Sequence, residues 1–135
     1  MSGVMKTVLF VCVGNSGRSQ MAEAFFNQLP LEKARATSAG TSLSDTVDPN
    51  VARVMKEVGI DISRNRPKKL TADILKQADR VVTMGCGVEG VCPMTFTETE
   101  DWGLDDPKGK PIDEVRVIRD AIRQKVRSLI EEIDA

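Results

Sequence analysis

Residues 7–26 place a strand, a tight loop and a helix in immediate succession, and that junction restricts the fold more than any other feature of the chain. Thr7-Val8-Leu9-Phe10-Val11 is an apolar run of the kind expected of a strand covered on both faces. Cys12-Val13-Gly14-Asn15-Ser16-Gly17-Arg18 follows, a loop of small residues closed by an arginine. The segment 19–29 then places Met21, Ala22, Phe25, Phe26 and Leu29 on one helical face, and Pro30 ends it. A cysteine therefore stands at a strand end and at a helix N-terminus. Such a loop directs backbone N–H groups to one point, and the helix dipole adds positive potential there. Arg18 contributes a planar fork suited to a tetrahedral oxyanion. The expected site is an anion pocket formed by residues 13–18 with the Cys12 sulfur beneath it.

Cysteines at helix N-termini beside cations ionise more readily than a free thiol, whose midpoint is about 8.5. The sequence thus predicts a Cys12 thiolate nucleophile at neutral pH. An inert cysteine buried in a tight turn is the alternative, and the glycines and the arginine argue against it. Ser19 either donates its hydroxyl to the sulfur or merely begins the helix. Asn15 either holds the loop through side-chain hydrogen bonds or simply suits a turn.

The rest of the composition narrows the chemistry. The chain has no histidine, which excludes Ser-His and Cys-His relays and His-ligated metals. Its 3 cysteines do not form a disulfide framework, so reactive thiols are the better reading. A net charge of -1 carries no nucleic-acid footprint. No apolar run approaches the ~20 residues of a membrane span, and the N-terminus lacks a secretory signal, so a cytoplasmic protein is expected. A length of 135 residues suggests one domain, 1–135, large enough to fold without staples.

Farther along, residues 34–39 read as a second strand closed by Gly40. Asp48-Pro49 reads as an N-cap with proline at the first helical position, and Val51, Val54, Met55 and Val58 continue with helical spacing to a C-cap at Gly59. Residues 63–69 are basic and contain a proline, which suggests a loop. Thr71 is expected to cap a short helix to Gln77, and Arg80-Val81-Val82-Thr83-Met84 to form a buried third strand. Residues 85–111 read as a long loop holding at most one short strand, a length usually reserved for function. Val115, Ile118, Ile122, Val126, Leu129 and Ile133 mark a last helix, whose other face carries Arg116, Arg119, Asp120, Arg123, Lys125 and Glu132. Strands alternating with helices imply an α/β fold with a parallel sheet, in which ligands bind beyond the strand C-termini. Cys12 and Cys86 should then face the same crevice.

Two further motifs carry chemistry. Cys86 and Cys92 are separated by five residues, close enough to meet, and with Cys12 they suggest a series of thiol exchanges. Three sulfurs without imidazole make a poor metal site. In Trp102-Gly103-Leu104-Asp105-Asp106-Pro107 an aspartic acid is available to protonate a leaving oxygen. The acidic run Glu98, Glu100 and Asp101 reads instead as solvated surface.

Cys12 to Ala24 resembles the signature of the thioredoxin-coupled arsenate reductases built on the low-molecular-weight protein tyrosine phosphatase fold. The similarity continues through Ser38-Ala39-Gly40, Met55 to Ser63, Val82-Thr83-Met84 and Trp102 to Pro107, and so covers nearly the whole chain. It implies a three-layer fold, a four-stranded parallel sheet flanked by helices. It also implies a reaction. Arsenate, or a phosphate-like oxyanion, docks on Val13, Gly14, Asn15, Ser16, Gly17 and Arg18; Cys12 attacks arsenic with Ser19 beside it, and Asp106 protonates the departing hydroxyl. Cys86 attacks Cys12 and arsenite leaves; Cys92 then attacks Cys86, and an external thiol restores the reduced state. The resemblance implies no bound cofactor and a monomer, reduced by thioredoxin or a low-molecular-weight thiol.

The chain departs from that pattern in places. Thioredoxin-linked members usually have six residues between the later cysteines, and Thr83 to Gly87 resembles members that use small thiols. Asn15, Glu23 and Ser38 match part of a monovalent-cation site found in some members, whereas Arg66-Pro67 does not match the remainder, so no metal ligand is assigned. The alternative activity is hydrolysis of phosphate monoesters through a phosphocysteine, using Cys12, Arg18 and Asp106 in the same roles. Phosphatases of this fold place aromatic residues after Asp-Pro, whereas here Lys108-Gly109-Lys110 follows and the chain contains no tyrosine.

Overall fold

The computed structural model describes residues 6–28, 33–84 and 98–134. Four strands, β1 (Lys6–Cys12), β2 (Ala34–Gly40), β3 (Arg80–Thr83) and β4 (Glu98–Asp101), form a parallel sheet in the order β2-β1-β3-β4. The helices are α1 (Arg18–Gln28), α2 (Pro49–Glu57), α3 (Ala72–Gln77) and α4 (Ile112–Asp134).

The period-two alternation of β1 sorts the core into two parts. Val8, Phe10 and Cys12 point to one face, where α1, α2 and α4 supply Met21, Phe26, Val51, Met55, Ile122 and Val126. Leu9 and Val11 point to the other face, against Ala39, Val81 and the α3 side chains Ile74 and Leu75. This gives the expected three layers, and it explains why β1 reads as a continuous apolar run. Cys12 inherits the face of Phe10, whose ring meets Phe26 at 6.2 Å and Trp102 at 5.5 Å between centroids.

Local signals placed most boundaries within a residue or two. Asp48 accepts from the Asn50 N–H at 2.9 Å with Pro49 opening α2, and Thr71 caps α3 through the Ile74 N–H. Gly59 follows the C-cap Val58 at φ +85°, a left-handed position that glycine fills without a side-chain penalty. Gly40 belongs to β2 rather than following it. Leu29 lies outside the described residues.

One expectation is sharpened and one corrected. The short strand expected within 85–111 is the acidic run itself, 98–101: Asp101 is exposed and accepts from Thr83 at 2.8 Å, while Glu100, partly exposed, is bound by Arg80 at 2.8 Å and by the Trp102 indole N–H at 3.0 Å. An acidic strand at a sheet edge is protected from pairing with other chains, and its charge pattern hides it from a hydrophobicity reading. Arg119, assigned to the outer face of the last helix, is instead 8% exposed and donates to the Val54 carbonyl and Glu57, both at 2.9 Å.

The strand order sets the location of the site. From β1 the chain crosses to β2 on one side and later to β3 on the other. A crevice opens beyond the C-termini of β1 and β3, where such sheets bind ligands.

Candidate active site

Cys12 ends β1 and Arg18 begins α1, so residues 13–17 form the whole connection. The segment after β2 fastens this loop from outside. Thr41 N–H donates to the Cys12 carbonyl at 3.3 Å, Ser42 to Val13 at 2.8 Å, Ser44 to Gly14 at 3.1 Å and Asp48 to Ser16 at 2.9 Å. Met21, inside α1, takes the Gly17 carbonyl at 2.9 Å. In a trans peptide the N–H lies antiparallel to the preceding C=O. Bonding these five carbonyls outward therefore turns the N–H groups of Val13, Gly14, Asn15, Gly17 and Arg18 to the opposite side of the loop.

A cavity of about 460 Å³ opens over the loop, a size typical of small-molecule sites. Cys12, Val13, Gly14, Ser16, Gly17 and Arg18 line it from the loop, Ser42 to Asp45 form a second wall, and Asp106 and Lys108 stand at a third. Cys12 is 2% exposed. It belongs to the core cluster on the Phe10 face, yet its Sγ lies 2.8 Å from the Ser19 hydroxyl and the residue lines the cavity.

Arg18 is held by the ends of two distant segments. Its Nη1 donates to the Met84 carbonyl at 2.8 Å and the Leu104 carbonyl at 3.0 Å. Those bonds occupy both Nη1 hydrogens, so the Nε–Nη2 edge is the part of the fork available to an oxyanion. Asp106 lies 3.8 Å from Nη2, and its side chain is 58% exposed, so a carboxyl group meets solvent and cavity together.

Asn15 occupies the left-handed region at φ +50°, tolerated by asparagine better than by most residues. It is fully buried, and its side chain lies behind the loop rather than in the cavity. Its Nδ2 donates to Ser19 Oγ at 2.7 Å, while Oδ1 accepts from the Lys68 N–H at 2.7 Å and from Gln20 Nε2 at 3.1 Å. Both open questions about these residues thus have a geometric answer: Asn15 holds the loop, and Ser19 touches the sulfur. Cys86 and Cys92 lie outside the described residues.

Of the oxygens that match part of a cation site, Glu23 Oε1 accepts from Ser38 Oγ at 2.5 Å and meets the Lys68 ammonium at 3.2 Å. Asn15 Oδ1 already faces two N–H donors. This donor set does not fit a bound ion, because a lysine of the chain itself supplies the positive charge.

Sequence reasoning missed several neighbours of the site. Ser42, Ser44, Asp45, Asn65 and Lys68 carry no motif of their own. Gln20 lies within the Cys12 to Ala24 signature, but its partners Asn65 and Arg66 are distant in the chain.

Comparisons with known proteins agree with this geometry. Residues 7–135 match the family of the low molecular weight phosphotyrosine protein phosphatases. An arsenate reductase of Brevibacillus brevis is 42% identical over 128 residues, covering 93% of this chain and 95% of that protein. The structure of an arsenate reductase in the phosphate binding state superposes with a TM-score of 0.84 at 39% identity, over 96% of this chain and 99% of that one. A Corynebacterium glutamicum thioredoxin-dependent arsenate reductase superposes with a TM-score of 0.81 at 35% identity, over 99% of this chain and 64% of that longer one. A phosphatase-type loop on this sheet, matched along almost its full length, places the chain in the low molecular weight phosphotyrosine protein phosphatase family, beside its arsenate reductases.

Proposed function

We propose that this protein reduces arsenate to arsenite with electrons from thiols. The observation that carries the reading is Cys12, its sulfur 2.8 Å from the Ser19 hydroxyl, lining a cavity that Arg18 and Asp106 also line. The loop N–H groups, the Nε–Nη2 edge of Arg18 and the α1 dipole bind the oxyanion. Cys12 thiolate attacks arsenic and forms an S–As bond; a hydroxide leaves and takes the Asp106 proton as water. Cys86 thiolate attacks the Cys12 sulfur. The S–As bonding pair passes to arsenic, arsenite departs and a Cys12–Cys86 disulfide remains. Cys92 attacks Cys86, which frees Cys12 and leaves a Cys86–Cys92 disulfide for an external thiol to reduce. Thioredoxin or a low-molecular-weight thiol fills that last role, and the protein acts as a monomer.

Phosphate-ester hydrolysis uses the same loop and is expected as a side activity. The cavity wall after Asp106-Pro107 carries Lys108 in place of an aromatic ring, which favours a small inorganic oxyanion over an aryl ester. The test is Cys86→Ser. Multiple-turnover arsenate reduction should cease while an aryl phosphate is still hydrolysed; reduction at the wild-type rate would refute the relay. Mapping disulfides by mass spectrometry after turnover with thioredoxin, and separately with small thiols, identifies the donor.

A further inference from the structure

Gln20 is fully buried one residue beyond Ser19, yet it lies outside the cavity. All of its described bonds go to two places. Nε2 donates to Asn15 Oδ1 at 3.1 Å and to the Arg66 carbonyl at 3.3 Å, and Oε1 accepts from Asn65 Nδ2 at 3.2 Å. It therefore joins the back of the loop to the basic segment 63–69, whose Lys68 N–H also reaches Asn15.

The direction of each bond follows from donor and acceptor chemistry. The Lys68 backbone N–H can only donate, so the end of the Asn15 amide that meets it at 2.7 Å is the oxygen. Gln20 adds a second donor to that same oxygen. The Asn15 amide nitrogen then faces Ser19 Oγ at 2.7 Å, and Ser19 must accept there. A serine hydroxyl has one hydrogen. With Asn15 donating to its oxygen, that hydrogen is released toward the Cys12 sulfur 2.8 Å away.

We propose that Gln20 is a positioning residue that acts on the Cys12 thiolate through Asn15 and Ser19. It adds a second donor to the Asn15 oxygen that the Lys68 N–H already fixes, and so steadies the amide with its nitrogen on Ser19 and the Ser19 proton free for sulfur. This rests on the reading of Cys12 as the nucleophile, not on arsenate being the substrate. A Gln20 that merely tied α1 to residues 63–69 would affect stability and leave the sulfur unchanged.

The test is the pH dependence of Cys12 alkylation by iodoacetamide, in a Cys86→Ser, Cys92→Ser background so that a single thiol reacts. Gln20→Met keeps the volume and removes every hydrogen bond. It should move the profile to higher pH and slow alkylation at neutral pH by about two- to fivefold, the low end of what one neutral hydrogen bond contributes. Ser19→Ala removes the donor itself and should slow alkylation by about tenfold, the worth of one hydrogen bond to a charged group, and the double variant should be no slower than Ser19→Ala, because one path carries both effects. Thermal melting shows whether each variant folds. If Gln20→Met does not, Asn65→Ala decides the matter: it removes only the anchor on Gln20 Oε1 and should shift the profile in the same direction by about two- to threefold. An unmoved profile in a folded Gln20→Met variant overturns the proposal, as do effects additive with Ser19→Ala or, where Asn65→Ala decides, its failure to shift the profile. Failure of wild-type protein to reduce arsenate would refute the proposed function while leaving this result intact.

Discussion

At the scale of single residues, the site divides into groups that meet substrate and groups that aim them. Arg18 does both in the proposed mechanism: Nη1 is committed to the Met84 and Leu104 carbonyls, which leaves the Nε–Nη2 edge for an oxyanion. Asp106 is bound more loosely, by the Lys108 N–H at 3.0 Å and the distant Arg18 fork at 3.8 Å. That suits the proton-carrying role proposed for it. Asp106→Asn removes the titratable proton and the charge that faces Arg18. It should lower kcat/KM for arsenate by about 10²–10⁴-fold while the melting temperature stays nearly constant, since exposed substitutions rarely shift stability by more than about 0.5 kcal/mol. Full activity in that variant would remove Asp106 from the mechanism.

At the scale of elements, β2 and the loop after β1 approach too closely for any side chain between them. A Cβ on Gly40 would stand 2.7 Å from the Val13 carbonyl oxygen and 2.9 Å from the Asn15 nitrogen, both backbone atoms of the anion loop. A Cβ on Gly14 would instead meet the Ser44 hydroxyl at 2.6 Å, and that side chain can rotate away. Gly40→Ala should therefore destabilise by about 1–3 kcal/mol, as overpacking does, and impair catalysis, with Gly14→Ala milder in stability. Urea denaturation and steady-state rates measure the pair; equal stability losses would contradict the argument. The same scale shows why the short strand expected within 85–111 could not be placed at 98–101 from sequence. A strand with acidic residues at 98, 100 and 101 has no apolar alternation, and its identity rests on pairing with β3 and on Arg80 reaching Glu100.

At the scale of the whole molecule, α2 and α4 are joined by a charge network far from the site. Glu57 accepts from Arg116 at 2.7 Å and from Arg119 at 2.9 Å, and Arg116 also meets Asp113 at 2.6 Å. The hydrogen bond from Arg116 is the largest influence on Glu57, opposed by partial desolvation and reinforced by the charge of Arg116 and the bond from Arg119. Together they lower its pKa from an ordinary 4.5 to about 2. A carboxylate depressed by folding stabilises the native state above its unfolded pKa and loses that contribution as pH falls toward the folded value. The stabilisation is complete above about pH 4.5 and disappears toward pH 2. Solvent and salt screen this group, so the effect is modest. The urea midpoint of wild-type protein should fall across that interval more steeply than that of Glu57→Gln; parallel curves would show that the network is silent.

Much of this protein was determined by sequence alone. The strand, the anion loop, the helix caps at Asp48 and Thr71, and the period of α4 are short-range patterns, set by backbone geometry and by which neighbours along the chain are apolar. Ser19 beside Cys12 was legible because both belong to one loop-helix junction. Tertiary structure alone decided the rest. Gln20 with Asn65, Arg18 with Leu104 and Arg119 with Glu57 are polar partners far apart in the chain, and no local periodicity encodes them. Their bonds form only after the apolar faces of β1, α1 and α4 have packed, because burial is what commits a polar side chain to a particular partner instead of water.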